Sequence, residues 1–356
     1  MIDNFELFRL PVELGRAIGG NDCSLDRMTI VALRLGTRTG HEAWGYSEVQ
    51  TDGRFTRGAP WIRSLPDLEA LRSIFATQWW PLLQGRRVDD LAGLRHSHGS
   101  AEPAIDSAVR VALWDLQAQE AGLPLYRLFN PAATSNGKRA YGSLLDFPLS
   151  DDEAVNVARG MLDKGITAIK VKVGAPDADR DIHRLRLIRS VIGPHVSLAA
   201  DANEAWNWDT ALRRLEQFEA AGVGLEYIED PLPRSHFAGL QELTRRSPTR
   251  VIGHDYLDTI EDMQRLVDAG IGGIRTTGDF DYMLECVRLA ERHHLPVYAG
   301  NWQFEIGVHI AAAFDTVDRF EYSALDWNLL VEEPVRISGG MAFAPERPGH
   351  GLVLKR

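Results

Sequence analysis

Two lysines interrupt an otherwise apolar run in "AIKVKVG", residues 168–174. Side chains on a β-strand alternate faces, so Lys170 and Lys172 point one way while Ile169, Val171 and Val173 point the other. Acidic residues follow at regular intervals: Asp201, Glu229 and Asp255 come 29, 28 and 26 residues after Lys172, Asp201 and Glu229 in turn. Each interval is the length of one strand plus one helical crossover, and in a parallel barrel the C-terminal ends of successive strands line one mouth. Three carboxylates meeting there would repel one another, and at least one would hold its proton. A divalent cation relieves that repulsion. Oxygen ligands without a histidine or cysteine cluster select a hard ion, Mg2+ first. Such an ion binds both oxygens of a substrate carboxylate and stabilises the ene-diolate left when the α-proton departs. An amine can remove that proton if neighbouring positive charge lowers its pKa. Lys172, nearer the strand end, is therefore the expected general base, with Lys170 as the charge that tunes it.

The elements that must position these groups are legible downstream of Arg139. Eight short apolar runs, "RAYGSLL", "AIKVKVG", "VSLAADA", "LEYIEDP", "TRVIGHD", "GGIRTT", "PVYAGN" and "RFEYSA", alternate with amphipathic helical stretches of 10 to 18 residues. That order predicts a parallel (β/α) barrel. The rival, a doubly wound open sheet, lacks its GxGxxG turn and any P-loop. Upstream the rhythm differs. "FELFRLPVEL" and "MTIVALRLGTRTGHEAWGYSEV" alternate as antiparallel strands do, around a glycine-rich loop, "GRAIGGNDCSLD". In "EPAIDSAVRVALWDLQAQEAG", residues Ile105, Ala108, Val109, Ala112 and Leu116 fall at helical spacing, and Gly122 is placed to end the helix. The expected domains are residues 1–130, an α+β capping unit with substrate-selecting loops, residues 131–325, the catalytic barrel, and residues 326–356, a segment returning to the capping unit.

A formal net charge of -11 over 356 residues argues against an electrostatically driven nucleic-acid binder. Cys23 and Cys286 stand far apart and outside any CxxC context, which fits a reducing compartment. The N-terminus is acidic where a signal peptide would be basic, and no apolar run reaches the ~18 residues of a membrane span. A cytoplasmic protein with no nucleic-acid or membrane partner is expected.

Together these motifs resemble the enolase superfamily, in its mandelate racemase/muconate lactonising branch. "KVKVG" is similar to its KxK motif, "DANEAWNWDTA" and "YIEDPLP" to its metal-ligand segments on the third and fourth strands, and "AIDSAVRVALWDLQAQEAGLPLYRLF" to the helix joining its capping domain to its barrel. The resemblance implies an α/β fold, a (β/α)7β-type TIM barrel with an N-terminal α+β capping domain, and a Lys base working with Mg2+. It implies Asp201 and Glu229 as metal ligands, with Asp255 the expected third and His254 beside it facing substrate. Asn203 shares the face of Asp201; Asn301 and Glu321 fall where relatives touch substrate. On the sixth strand, where relatives carry a second acid or base, Gly273 stands with Arg275 nearby, and Asn301 takes the place of a seventh-strand histidine.

A single base still eliminates. Dehydration of an acid sugar or other hydroxy acid is the leading expectation, with racemisation, epimerisation or cycloisomerisation of a carboxylate second and a non-catalytic metal-binding relative third. A homo-oligomer acting on a small carboxylate is implied.

Overall fold

The computed structural model describes residues 1–20, 23–49, 54–55, 64–91, 93–94, 99–255, 257, 259–300, 305–323 and 330–355. Strands β1 (Ile2–Ile18), β2 (Cys23–Thr37) and β3 (Glu42–Val49) form an antiparallel sheet in the order β1-β2-β3. Helix α1 (Leu68–Ile74) and the long helix α2 (Pro103–Glu120) pack on it. Pro103 opens α2 behind the Glu102 carboxylate, which caps the Ala104 N–H at 3.0 Å. The residues singled out by helical spacing, Ile105, Ala108, Val109, Ala112 and Leu116, are all buried. Gly45 on β3 permits the contact: a Cβ there would sit 1.8 Å from the Ala108 carbonyl oxygen, so sheet and helix meet backbone to backbone.

The barrel strands are β4 (Lys138–Leu145), β5 (Ala168–Lys172), β6 (Ser197–Asp201), β7 (Leu225–Glu229), β8 (Arg250–Ile252), β9 (Ile274–Thr276), β10 (Val297–Ala299) and β11 (Val317–Tyr322). They pair in parallel in the order β9-β10-β11-β4-β5-β6-β7-β8. A bridge between Gly253 and Ile274 closes the ring, with the Arg275 N–H donating to the Gly253 carbonyl at 2.8 Å. Ala168, Ala199, Ile252, Tyr141, Tyr227 and Tyr298 form a buried apolar cluster set apart from the main core. Residues of alternate parity, such as Ile169, Val171, Ala200 and Ile228, join the large cluster shared with the helices. The expected parallel barrel with an antiparallel capping unit is the fold observed. Among the described residues no helix is long and apolar enough to cross a membrane.

The tail ties the two units together. A short hairpin, β12 (Arg336–Ser338) and β13 (Met341–Phe343), pairs with the start of β4. Beyond it the buried Asp115 carboxylate of α2 accepts the backbone N–H groups of Trp44 and His350, each at 2.8 Å. His309, in helix α3 (Val308–Ala313), completes the joint. Its Nδ1 accepts the Tyr126 N–H at 3.2 Å, and its Nε2 lies 2.9 Å from the His350 carbonyl, which fixes the neutral tautomer with the proton on Nε2. Burial, with the charge of neighbouring His350 adding to it, lowers its pKa to about 3, and a second proton would land on Nδ1, where it faces the Tyr126 N–H. A histidine depressed in the folded state stabilises fully above its unfolded pKa near 6.5, and that contribution fades as pH falls toward 3. At pH 4.5 the loss is about 3 kcal/mol. His309→Gln therefore narrows the gap to wild type by that amount between pH 7 and 4.5 in urea unfolding; a gap constant across the range would clear His309 of acid sensitivity.

Candidate active site

The chemistry sits in one row across neighbouring strands. Lys172 pairs in register with Asp201, and Asp201 with Glu229. All lie at strand ends, so the row rims the barrel's C-terminal mouth. Asp201 and Glu229 are fully buried, as is Lys170 apart from 2% of its surface, while the Lys172 side chain keeps 14% exposure. Lys172 Nζ lies 2.6 Å from Asp201 Oδ2. Lys170 Nζ grips both oxygens of Glu229, at 2.9 and 2.8 Å, and reaches Asp201 Oδ2 at 3.6 Å and Glu321 Oε1 at 3.3 Å.

Opposite them Arg275 extends from β9, its side chain 1% exposed. Its Nε lies 3.3 Å from Glu229 Oε1, its Nη2 lies 3.2 Å from Asp255 Oδ1, and Nη2 also pairs with Glu321. Asp230, just past the end of β7 with φ +46, accepts the Asp255 N–H at 3.2 Å and lies 3.3 Å from His254 Nδ1. The other His254 nitrogen, Nε2, lies 3.0 Å from Glu204, itself held by Arg234 at 2.9 Å. His254 is thus wedged between two carboxylates, and these outweigh burial in raising its pKa.

Charge balance in this cluster runs against one expectation. Burial alone would depress the Lys172 pKa, and Lys170 adds to that, but the Asp201 carboxylate outweighs both and holds the amine above the ordinary lysine range. Lys170 tunes its neighbour in the expected direction without winning. The sequence could not weigh these terms, because only the strand register puts Asp201 against Lys172. Burial likewise pushes Glu229 and Asp230 up, with Asp201 adding to both. Asp201 and Glu321, by contrast, are held low against burial by the lysines and by Arg275 and Lys170 respectively, so Glu229 and Asp230 are the carboxylates left short of compensation.

The structure brings together Lys170, Lys172, Asp201, Glu229, Asp255 and Glu321 through these ion pairs. Asn203 joins at Asp201, donating its backbone N–H to Oδ1 at 3.0 Å. Asn301 lies outside the described residues. Asp201, Glu229 and Asp230 bring carboxylate oxygens within 4.8 Å of one another, whereas Asp255 stands outside that group and faces Arg275. Two contributors were underweighted in the sequence: Asp230, although it adjoins Glu229, and Arg275, although a lone charge in the apolar run "GGIRTT" is the same signal that flagged the lysines.

Residues 153–356 match the enolase C-terminal domain-like family. A 3,6-anhydro-alpha-L-galactonate cycloisomerase from Streptomyces coelicolor is 27% identical over 98% of this chain and 95% of its own length. A Mesorhizobium loti protein provisionally named a mandelate racemase superposes with a TM-score of 0.88 at 34% identity, covering 99% of this chain and 92% of that one. The L-talarate dehydratase of Polaromonas sp. JS666, solved with Mg and L-glucarate, superposes with a TM-score of 0.80 at 26% identity, covering 99% and 95%.

Proposed function

The chain belongs to the mandelate racemase/muconate lactonising branch of the enolase superfamily, and from that premise we propose that it removes the proton α to a substrate carboxylate and dehydrates an acid sugar or other hydroxy acid. The observation that carries this reading is the register row Lys172–Asp201–Glu229, which sets an ammonium and two buried carboxylates side by side at one mouth.

The donor set fits a hard divalent cation. It is all carboxylate oxygen and buried, and burial, with the Asp201 charge adding to it, pushes Glu229 and Asp230 up. Asp201 and Glu229 would hold Mg2+; Asp255 is the expected third ligand, with Asp230, already within reach of both, as its competitor. When bound, Mg2+ supplies the positive charge that steadies a substrate carboxylate as its α-proton leaves.

The chain's own groups do the rest. Lys172, the more accessible lysine, accepts the α-proton once Asp201 is engaged elsewhere and no longer holds the amine protonated. Lys170 and Arg275 keep Glu229 and Glu321 in place from two sides. On the face opposite Lys172, Arg275 is too basic to serve as a second base. That one-sidedness among the described residues favours elimination over two-base racemisation. Asn203, His254, Asn301 and Glu321 are assigned to substrate contact as part of the same reading, as are a homo-oligomeric state and a cytoplasmic location.

Incubation with a panel of acid sugars and Mg2+, read by mass spectrometry, tests the reading. Loss of 18 daltons (roughly one water, the stoichiometry of a β-elimination) from at least one acid is expected. Turnover of a panel member without mass change would favour the isomerase alternatives instead.

A further inference from the structure

The dehydration proposed above needs a proton donor for the departing hydroxyl, and the register row continues one strand further to supply one. β4 and β5 pair Gly142 with Ile169 but Leu145 with Val171, so β4 spends three residues where β5 spends two. The bulge reverses side-chain parity. Leu145 joins Val171 in the core shared with the helices, so the next residue, Asp146, takes the parity of Lys172, close enough for the Lys172 charge to act on its carboxyl. Four neighbouring strands thereby present Asp146, Lys172, Asp201 and Glu229 in sequence around the rim.

Asp146 is 1% exposed. Its Oδ2 lies 3.3 Å from Arg16 Nη1, near the end of β1 before the Gly19–Gly20 loop, and the Phe147 N–H donates to the Gly19 carbonyl at 3.1 Å. The other oxygen, Oδ1, is buried and makes no hydrogen bond of good geometry, although the Gly19 backbone N–H lies near enough to the carboxyl to favour its charged form. A buried carboxyl oxygen left unsatisfied costs about 1–3 kcal/mol unless something fills the place, which marks such atoms as candidates for a ligand contact. Burial pushes the carboxyl up to about 6 against the pull of Lys172 and Arg16, so a proton is available near neutrality. His254 competes poorly for the role, since both its nitrogens already face carboxylates.

We infer that Asp146 is the general acid of this site, donating its proton through Oδ1 to the β-hydroxyl while Lys172 takes the α-proton from the same flank of the mouth. The α-C–H bond breaks toward the Lys172 amine, and its electron pair rests in the substrate carboxylate before it forms the new C=C bond. The β-C–O bond breaks, and its oxygen leaves as water carrying the Asp146 proton. Lys172 ends as ammonium and Asp146 as carboxylate, and the enol product ketonises. Because both groups sit at the ends of adjacent strands, on one flank of the mouth, the elimination is syn.

The test compares two rates in one sample. In D2O with Mg2+ and the acid found by the mass screen, wild type exchanges the α-proton and releases water. Asp146→Asn is expected to lose dehydration by about 100-fold or more while α-exchange continues near the wild-type rate, and Asp146→Glu to recover part of the dehydration. The ratio of the two rates does not depend on the folded fraction, so partial misfolding of the variant leaves the result readable. A parallel fall of both rates, or no fall in either, overturns the assignment of Asp146. If wild type neither exchanges nor dehydrates any acid on the panel, the proposed function falls first and this assignment with it.

Discussion

Lys172→Ala is expected to lower kcat by roughly a thousandfold or more, the scale on which a positioned general base contributes, while Mg2+ binding in calorimetry is retained. The two halves of this result have separate causes. The amine is the more exposed of the two lysines and the proposed proton acceptor, and its nearest partner is Asp201 Oδ2 at 2.6 Å. Removing it deletes the base and also frees Asp201 of its ion-pair partner, so a cation competes for that carboxylate more easily than in wild type. Loss of turnover together with loss of metal binding would instead make Lys172 a structural residue. Near wild-type turnover would remove it from the chemistry.

The second large effect concerns the carboxylates. Asp201→Asn is expected to weaken Mg2+ binding by about 100-fold or more, because outer-shell changes alone cost 10–100-fold and this change strips a charge from the donor set itself. It also leaves Lys172 without its partner, so a fall in melting temperature is expected alongside. The third ligand is settled by the same calorimetry on two further variants. If Asp255 completes the set, it must part from Arg275, and Asp255→Asn then weakens binding far more than Asp230→Asn. The reverse order would assign the position to Asp230, which already lies close to Asp201 and Glu229. Unchanged affinity in Asp201→Asn would break the carboxylate shell as a whole.

Much of this architecture was legible because it obeys simple periods. Alternation on β5 put Lys170 and Lys172 on one face, and both indeed turn into the same ion-pair cluster. Helical spacing in α2 named five residues that are all buried. Repeated intervals between Lys172, Asp201 and Glu229 foretold three strand ends that stand in mutual register. What escaped the sequence depends on departures from those periods. A bulge in β4 reverses parity between Gly142 and Leu145, so no alternation rule points Asp146 at the mouth. Asp230 follows Glu229 and strict alternation would send it outward, yet a left-handed backbone at φ +46 swings it back toward the cluster. Arg275 was visible as a charge on an apolar strand, but its grip on Glu229, Asp255 and Glu321 requires closure of the ring between β8 and β9, which no local pattern encodes.

The central claim is that Lys172 and a Mg2+-loaded carboxylate row together detach an α-proton. Proton NMR of hydroxy acids in D2O measures this directly, before any question of which bond breaks next. The α-proton signal of at least one acid should disappear with the wild-type protein and Mg2+, and persist with EDTA present or with Lys172→Ala. Exchange by the Lys172→Ala protein at the wild-type rate, or exchange indifferent to EDTA, would contradict the account.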